Sequence, residues 1–118
     1  MKYILIILTS LTMFSCSSNI KSYVIEITTF KIKTTVTTEN FWKEDAKIDA
    51  NYTSKQPGYI SRESAFNDET DEVLVVAKWK KMEDADASMQ KFMKDTSVAN
   101  YANMIEGNTM RMKRYLAN

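Results

Sequence analysis

Val73-Leu74-Val75-Val76-Ala77 is an unbroken apolar run between Glu72 and Lys78, rich in β-branched residues and too short to be a buried helix. It reads as a strand covered on both faces, because a strand with one wet face alternates apolar and polar residues. Such a strand must lie inside a sheet, with something packed against each side.

The flanking segments predict what that sheet is. Tyr23 to Lys33 reads as a first strand. Thr37 or Thr38 is placed to cap a helix with Glu39 in its first turn, and with Thr37 as cap, Val36 and Phe41 stand where a hydrophobic staple joins. This helix is expected to run to about Lys55, since Pro57 cannot continue it and biases Gln56 towards extended geometry. Gly58 opens a second strand, Tyr59 to Phe66. Asn67-Asp68-Glu69 makes a polar turn, and Val73 to Trp79 returns as the second arm of a hairpin. Met82, Ala85, Met89, Phe92 and Met93 recur at helical spacing, with Glu83, Asp84 and Asp86 near the helix start. Ser97 is placed to cap a short helix that carries Val98, Tyr101, Met104 and Ile105 and stops at Gly107, and Thr109 to Leu116 is the closing strand. The order β-α-β-β-α-β predicts an α+β, ferredoxin-like βαββαβ fold. Helices cover one face of such a sheet. The doubly apolar third strand therefore predicts a second copy packed on the other face, a dimeric α+β barrel; the alternative is a monomer with a lax outer face.

The N-terminus says where the protein works. Lys2 is followed by an apolar stretch to Phe14, then Ser15 and Cys16, the only cysteine of the chain. This is the anatomy of a bacterial lipoprotein signal: residues 1–15 as signal peptide, lipidation at Cys16, a tether over 16–22, and a domain over 23–118. Met13-Phe14-Ser15 departs from the commonest form of that signal, and a plain secretory signal or an uncleaved anchor is the alternative. The run is too short to span a bilayer comfortably. The expected location is the bacterial cell envelope, anchored to a membrane through lipid on Cys16. Lys and Arg number 16 against 15 Asp and Glu, and Lys2 lies in the leader, so the remaining side chains balance. That overall balance gives no electrostatic footprint for nucleic acid or for anionic lipid, so acyl chains rather than net charge are expected to hold the protein at the membrane.

Gln56-Pro57-Gly58-Tyr59-Ile60-Ser61-Arg62 resembles the PGF(I/L)S element of the dimeric α+β barrel superfamily of the antibiotic biosynthesis monooxygenases. Val75-Val76-Ala77-Lys78-Trp79 followed by Met82-Glu83-Asp84-Ala85 is similar to its third strand, terminal tryptophan and following helix start. Phe92-Met93-Lys94-Asp95 to Tyr101, then Met110-Arg111-Met112-Lys113-Arg114-Tyr115, resembles its last helix and strand. The resemblance covers about residues 23–116 and implies a monooxygenase-like domain. The scaffold also hosts haem-degrading enzymes, isomerases and decomposers of small toxic compounds, so it implies a fold more narrowly than an activity.

Absent residues narrow the chemistry. The chain has no histidine, which removes the commonest general base and the commonest metal and haem ligand, including the His of the Asn, Trp and His set of haem-degrading members. Cys16 is committed to lipid, and Gly58 and Gly107 are placed for a turn and a helix end rather than a phosphate loop. No metal and no cofactor are expected. What remains is a pocket between the helices and the sheet. Phe41, Asp45, Ile48 and Tyr52 fall on one face of the first helix, so Asp45 interrupts an apolar stripe and is a candidate catalytic base. The structural alternative sets Asp45 at the stripe's edge, paired with Lys47 or Lys78. Glu26 is a second interior candidate, with an outward position near Lys31 as its alternative. Phe41, Trp42, Ile48, Trp79, Met89 and Tyr101 are the candidate ligand-binding residues, each also explicable as plain core. The sequence thus predicts an envelope-tethered homodimer that oxidises or isomerises a small aromatic or quinone-like compound without cofactor. Its rivals are a lipoprotein that sequesters a small hydrophobic ligand without turnover, and a structural lipoprotein with a filled core.

Overall fold

A computed structural model describes residues 22–118; the expected signal peptide, Cys16 and the expected tether up to Lys21 lie outside the described residues. Strands β1 (Tyr23–Ile32), β2 (Tyr59–Asn67), β3 (Glu72–Trp79) and β4 (Ile105–Ala117) form one antiparallel sheet in the order β2-β3-β1-β4. Helices α1 (Thr38–Asn51), α2 (Met82–Phe92) and α3 (Ala99–Asn103) complete the ferredoxin-like arrangement. The doubly apolar strand, β3, is central, hydrogen-bonded to β1 and β2.

Local chemistry explains most boundaries. Thr37 caps α1, its hydroxyl accepting from the Asn40 amide at 3.2 Å, and Val36 packs on the cluster that contains Phe41. α1 ends at Asn51 rather than near Lys55, and Thr53–Lys55 forms a separate 3-10 turn before Pro57. Gly58 has φ +78°, and a β-carbon there would stand 2.0 Å from the Asp84 carboxylate, so the start of α2 is seated directly on this glycine. In the β2–β3 turn, the Asn67 side-chain oxygen accepts from the amides of Glu69 (2.9 Å) and Thr70 (3.2 Å).

The last third departs from expectation. The short helix stops at Asn103, the turn before it is capped by Asp95 rather than Ser97, and β4 begins at Ile105 with Gly107 inside it. β4 carries a bulge: Gly107 to Met110 oppose the single residue Phe30, between the pairs Thr29–Arg111 and Lys31–Glu106. The Thr109 hydroxyl closes the bulge, accepting from the Lys31 amide at 2.8 Å and donating to the Glu106 carbonyl at 2.5 Å. Because the excess is odd, strand alternation switches parity, and Ile105 shares the helix-covered face with even-numbered Met112 and Arg114.

Two groups of buried side chains fill the space between that face and the helices. One joins Phe30, Phe41, Ile48, Tyr52, Val73 and Tyr101; the other, at the end where β1 begins, joins Val24, Ala77, Trp79 and Ala85. On the opposite face Ile25, Ile27, Leu74 and Val76 remain half-buried.

Candidate functional site

Between the two core groups lies a cavity of about 250 Å³. Its floor is the helix-covered face of the sheet, where alternation places Glu26, Thr28 and Phe30 of β1 beside Val75, Ala77 and Trp79 of β3. Its roof is Ile48 of α1 and Tyr52 just past its end, with Met89 and Phe92 of α2 and Met93 just past it, and Tyr101, Ile105 and Met110 close the end near the bulge. The walls are overwhelmingly apolar and aromatic. An apolar cavity of about 150 Å³ already admits benzene, so this one accommodates a substituted aromatic ring.

Few polar groups reach it, and their partners decide what each can do. Trp79 is 2 % exposed, and its indole N–H is buried without a hydrogen-bond partner among the described residues. An unpaired buried donor is costly, and it belongs to a residue that lines the cavity. Glu26 neighbours it on the same face, because Val24 pairs with Trp79 and Glu26 with Ala77. One Glu26 oxygen accepts from Arg114 Nε at 2.7 Å, and Arg114 also donates to Asp86 at the surface. Burial opposes the Arg114 charge, but the hydrogen bonds and charges of Glu26 and Asp86 together outweigh it and raise its pKa. The Tyr52 hydroxyl donates to the Ser88 carbonyl at 3.1 Å, tying α1 to α2 across the roof, and burial raises its pKa.

Asp45 is buried, as its place in the apolar stripe of α1 suggests, but it does not line the cavity. Arg62 of β2 grips it through both nitrogens, at 2.6 and 3.2 Å, and the Tyr101 hydroxyl donates to the same carboxylate at 3.0 Å. The partner is therefore Arg62, not Lys47 or Lys78; Lys47 pairs with Glu44 instead. Burial and the adjacent Asp45 charge push the Tyr101 pKa well above the ordinary tyrosine value. Burial also opposes the Arg62 charge, but the Asp45 hydrogen bond and the nearby Tyr101, Asp45 and Asp49 charges together prevail and the pKa is raised. With both oxygens engaged and no cavity surface, Asp45 is not placed to take a proton from a ligand.

Of the candidate ligand-binding residues, Ile48, Trp79, Met89 and Tyr101 meet at the cavity. Phe41 and Trp42 do not. Phe41 is completely buried in the core, and Trp42 packs edge-on against it at 5.2 Å and against Phe66 at 6.5 Å. Glu26 points inward to Arg114, not outward to Lys31. The alternation of β1 held that signal: Val24 and Phe30 are core-type residues two before and four after Glu26, so all three share a face. Arg62 and Arg114 carried no comparable signal. Among the described residues, no group of three His, Cys, Asp or Glu is placed to hold a metal ion.

No protein-family model matches the sequence, and no curated relative does. Solved structures do match in fold. SnoaB, a cofactor-independent oxygenase from Streptomyces nogalater, aligns with a TM-score of 0.56 at 13% identity, covering 82% of this chain and 92% of its own. A candidate antibiotic biosynthesis monooxygenase from Chloroflexus aurantiacus aligns with a TM-score of 0.59 at 16% identity, over 82% of this chain and 93% of that one. A conserved protein from Methanosarcina mazei gives 0.63 at 11% identity, over 80% and 92%. At such identities the likeness is one of fold: residues 22–118 have the monooxygenase-like α+β fold.

Proposed function

We propose that the protein is a membrane-tethered, dimeric oxygenase of this fold that binds a small phenol- or quinone-like compound and promotes its cofactor-independent oxidation. The observation that carries the reading is the placing, on one cavity wall, of Trp79, whose indole donor has no partner among the described residues, beside the carboxylate Glu26. An aromatic ring with an acidic CH2 beside a carbonyl or hydroxyl fits that wall. Glu26 takes a proton from the carbon, Trp79 donates to the oxygen on which charge collects, and the substrate anion passes electrons to dioxygen. One oxygen atom ends on the carbon as a carbonyl; the other leaves as water with the two hydrogens that carbon lost. The chain supplies a dry cavity, a base and an oriented donor. The fold of SnoaB, an oxygenase that uses no cofactor, supports the reaction class.

Two further parts of the reading have separate supports. The half-buried stripe Ile25, Ile27, Leu74 and Val76 on the uncovered sheet face supports a homodimer packed sheet to sheet. The apolar segment ending at Ser15-Cys16 supports lipid anchoring in a bacterial envelope.

The test is a thermal-shift screen against small phenols, quinones and haem, followed by oxygen uptake with each hit. A selective rise in melting temperature with uptake that Glu26→Gln abolishes is the expected result. A rise without uptake favours the second reading, sequestration of a hydrophobic ligand. That reading has its own support: both interior carboxylates, Asp45 and Glu26, are already paired with arginines. A flat screen overturns both and leaves a structural lipoprotein.

A further inference from the structure

We infer that the end of the sheet where β1 begins is a membrane-contact surface, with Ile60 and Leu116 against lipid and Lys80 and Lys81 among the headgroups. This rests on the anchoring of Cys16 proposed above. Strand register gathers the surface: Tyr23 pairs with Ala117, Val24 with Trp79, and Tyr59 with Trp79, so the start of β1, the end of β4, the end of β3 and the start of β2 share one end. Of the four exposed large hydrophobic residues among the described residues, Ile60 (44 % exposed) and Leu116 (69 %) stand there, while Tyr115 (49 %) lies opposite Ile25 on the sheet face assigned above to the partner copy. Ile60 sits where β2 slips register against β3, and Leu116 lies on β4, the opposite edge of the sheet. Three strand spacings, about 14 Å, separate those edges. The apolar residues are thus spread across the whole end rather than gathered into a pocket for one side chain.

Charge follows the same axis. Exposed Lys55, Lys80 and Lys81 stand at this end against Glu83 and Asp86, the latter paired with Arg114, while Asp84 is turned onto Gly58. The opposite end carries the β2–β3 turn with Asp68, Glu69, Asp71 and Glu72, where Lys31 stands opposite Glu72 and leaves an acidic excess. An anionic lipid surface attracts the first end and repels that turn. Apolar side chains beside lysines match the layered polarity of a bilayer interface.

The tether rules out the opposite orientation. Six residues separate Cys16 from Tyr23, so even a fully extended chain reaches only about 25 Å. Standing on the acidic turn would lift Tyr23 roughly 30 Å from the lipid, the length of a ten-residue strand, beyond that reach. Met93, the exposed residue of the cavity rim, lies beyond the far end of α2, about 15 Å from its start. Contact through the Ile60 and Leu116 end therefore holds the cavity rim off the bilayer.

The test uses the full-length acylated chain in vesicles of phosphatidylethanolamine and phosphatidylglycerol with brominated acyl chains. Cys16 is the only native cysteine, so Ile60→Cys, Leu116→Cys and Thr70→Cys each give one site for a fluorescent label. Labels at positions 60 and 116 should be quenched severalfold more than the label at 70 in the acidic turn. Equal quenching at the three sites, or stronger quenching at 70, overturns the orientation while mass spectrometry still finds acyl chains on Cys16. An unacylated Cys16 overturns the anchor and this surface with it. A disulfide between two Leu116→Cys chains assigns the residue to a contact between copies and also overturns the proposal.

Discussion

Two carboxylate–arginine pairs cross the interior, and they are built differently. In Asp45–Arg62 both side chains are almost sealed, at 8 and 6 % exposure, and Tyr101 adds a further hydrogen bond. In Glu26–Arg114 the carboxylate is 9 % exposed and the arginine 19 %, with Arg114 continuing to Asp86 at the surface. The first joins α1, β2 and α3 and presents no carboxylate to the cavity; the second sets Glu26 in the cavity wall. Burial alone does not make a carboxylate chemically useful. What matters is whether an oxygen remains within reach of a ligand, and only Glu26 meets that condition here.

The largest effect should come from breaking the sealed pair on one side. Arg62→Met leaves Asp45 buried without its guanidinium and should lower stability by about 3–5 kcal/mol, measured by denaturant unfolding. Adding Asp45→Leu should restore most of that loss; a double variant as weak as the single one would show that Arg62 acts through packing instead. Gly58→Ala comes next. Its positive φ alone costs about 1–2 kcal/mol, and the displaced Asp84 shifts α2, so the thermal response to a cavity ligand should weaken while the Asp45 pair stays intact.

Tyr101→Phe should cost about 1 kcal/mol and change the alkaline limb of stability. The native pKa of Tyr101 is raised, so its contribution is whole below the ordinary tyrosine value near 10. Above that value the unfolded chain loses its proton first, and the contribution drains away as pH climbs towards the native pKa. Unfolding midpoints above pH 10 should fall less steeply in Tyr101→Phe; an unchanged slope would separate the hydroxyl from the pair. Glu26→Gln should be the mildest for stability, about 1 kcal/mol or less, since Arg114 keeps Asp86 and water. It should nevertheless be the most severe for oxygen uptake, while Asp45→Asn leaves the ligand-induced rise in melting temperature in place. Reversal of those two results would exchange the roles of the pairs.

The sequence was most legible where structure is local. Thr37, the Asn67 turn and the 73–77 run each act within a few residues, and all lie where their chemistry puts them. It misled at Gly107, where a glycine just past a helical pattern suggested a stop but serves a bulge. It was also incomplete at Asp45, whose burial followed from helical spacing while Arg62, seventeen positions away, did not.

The chain alone therefore determined the order of its elements, the central strand and the half of α1 that faces inward, because hydrophobic period and turn chemistry are written in neighbouring residues. Only the tertiary structure decided that Glu26 and Trp79 share a cavity wall, that Arg62 and Arg114 each claim a carboxylate, and that an odd bulge brings Ile105 to the same face as Met112. Those facts depend on strand register, and register is set by contacts between segments far apart in the chain.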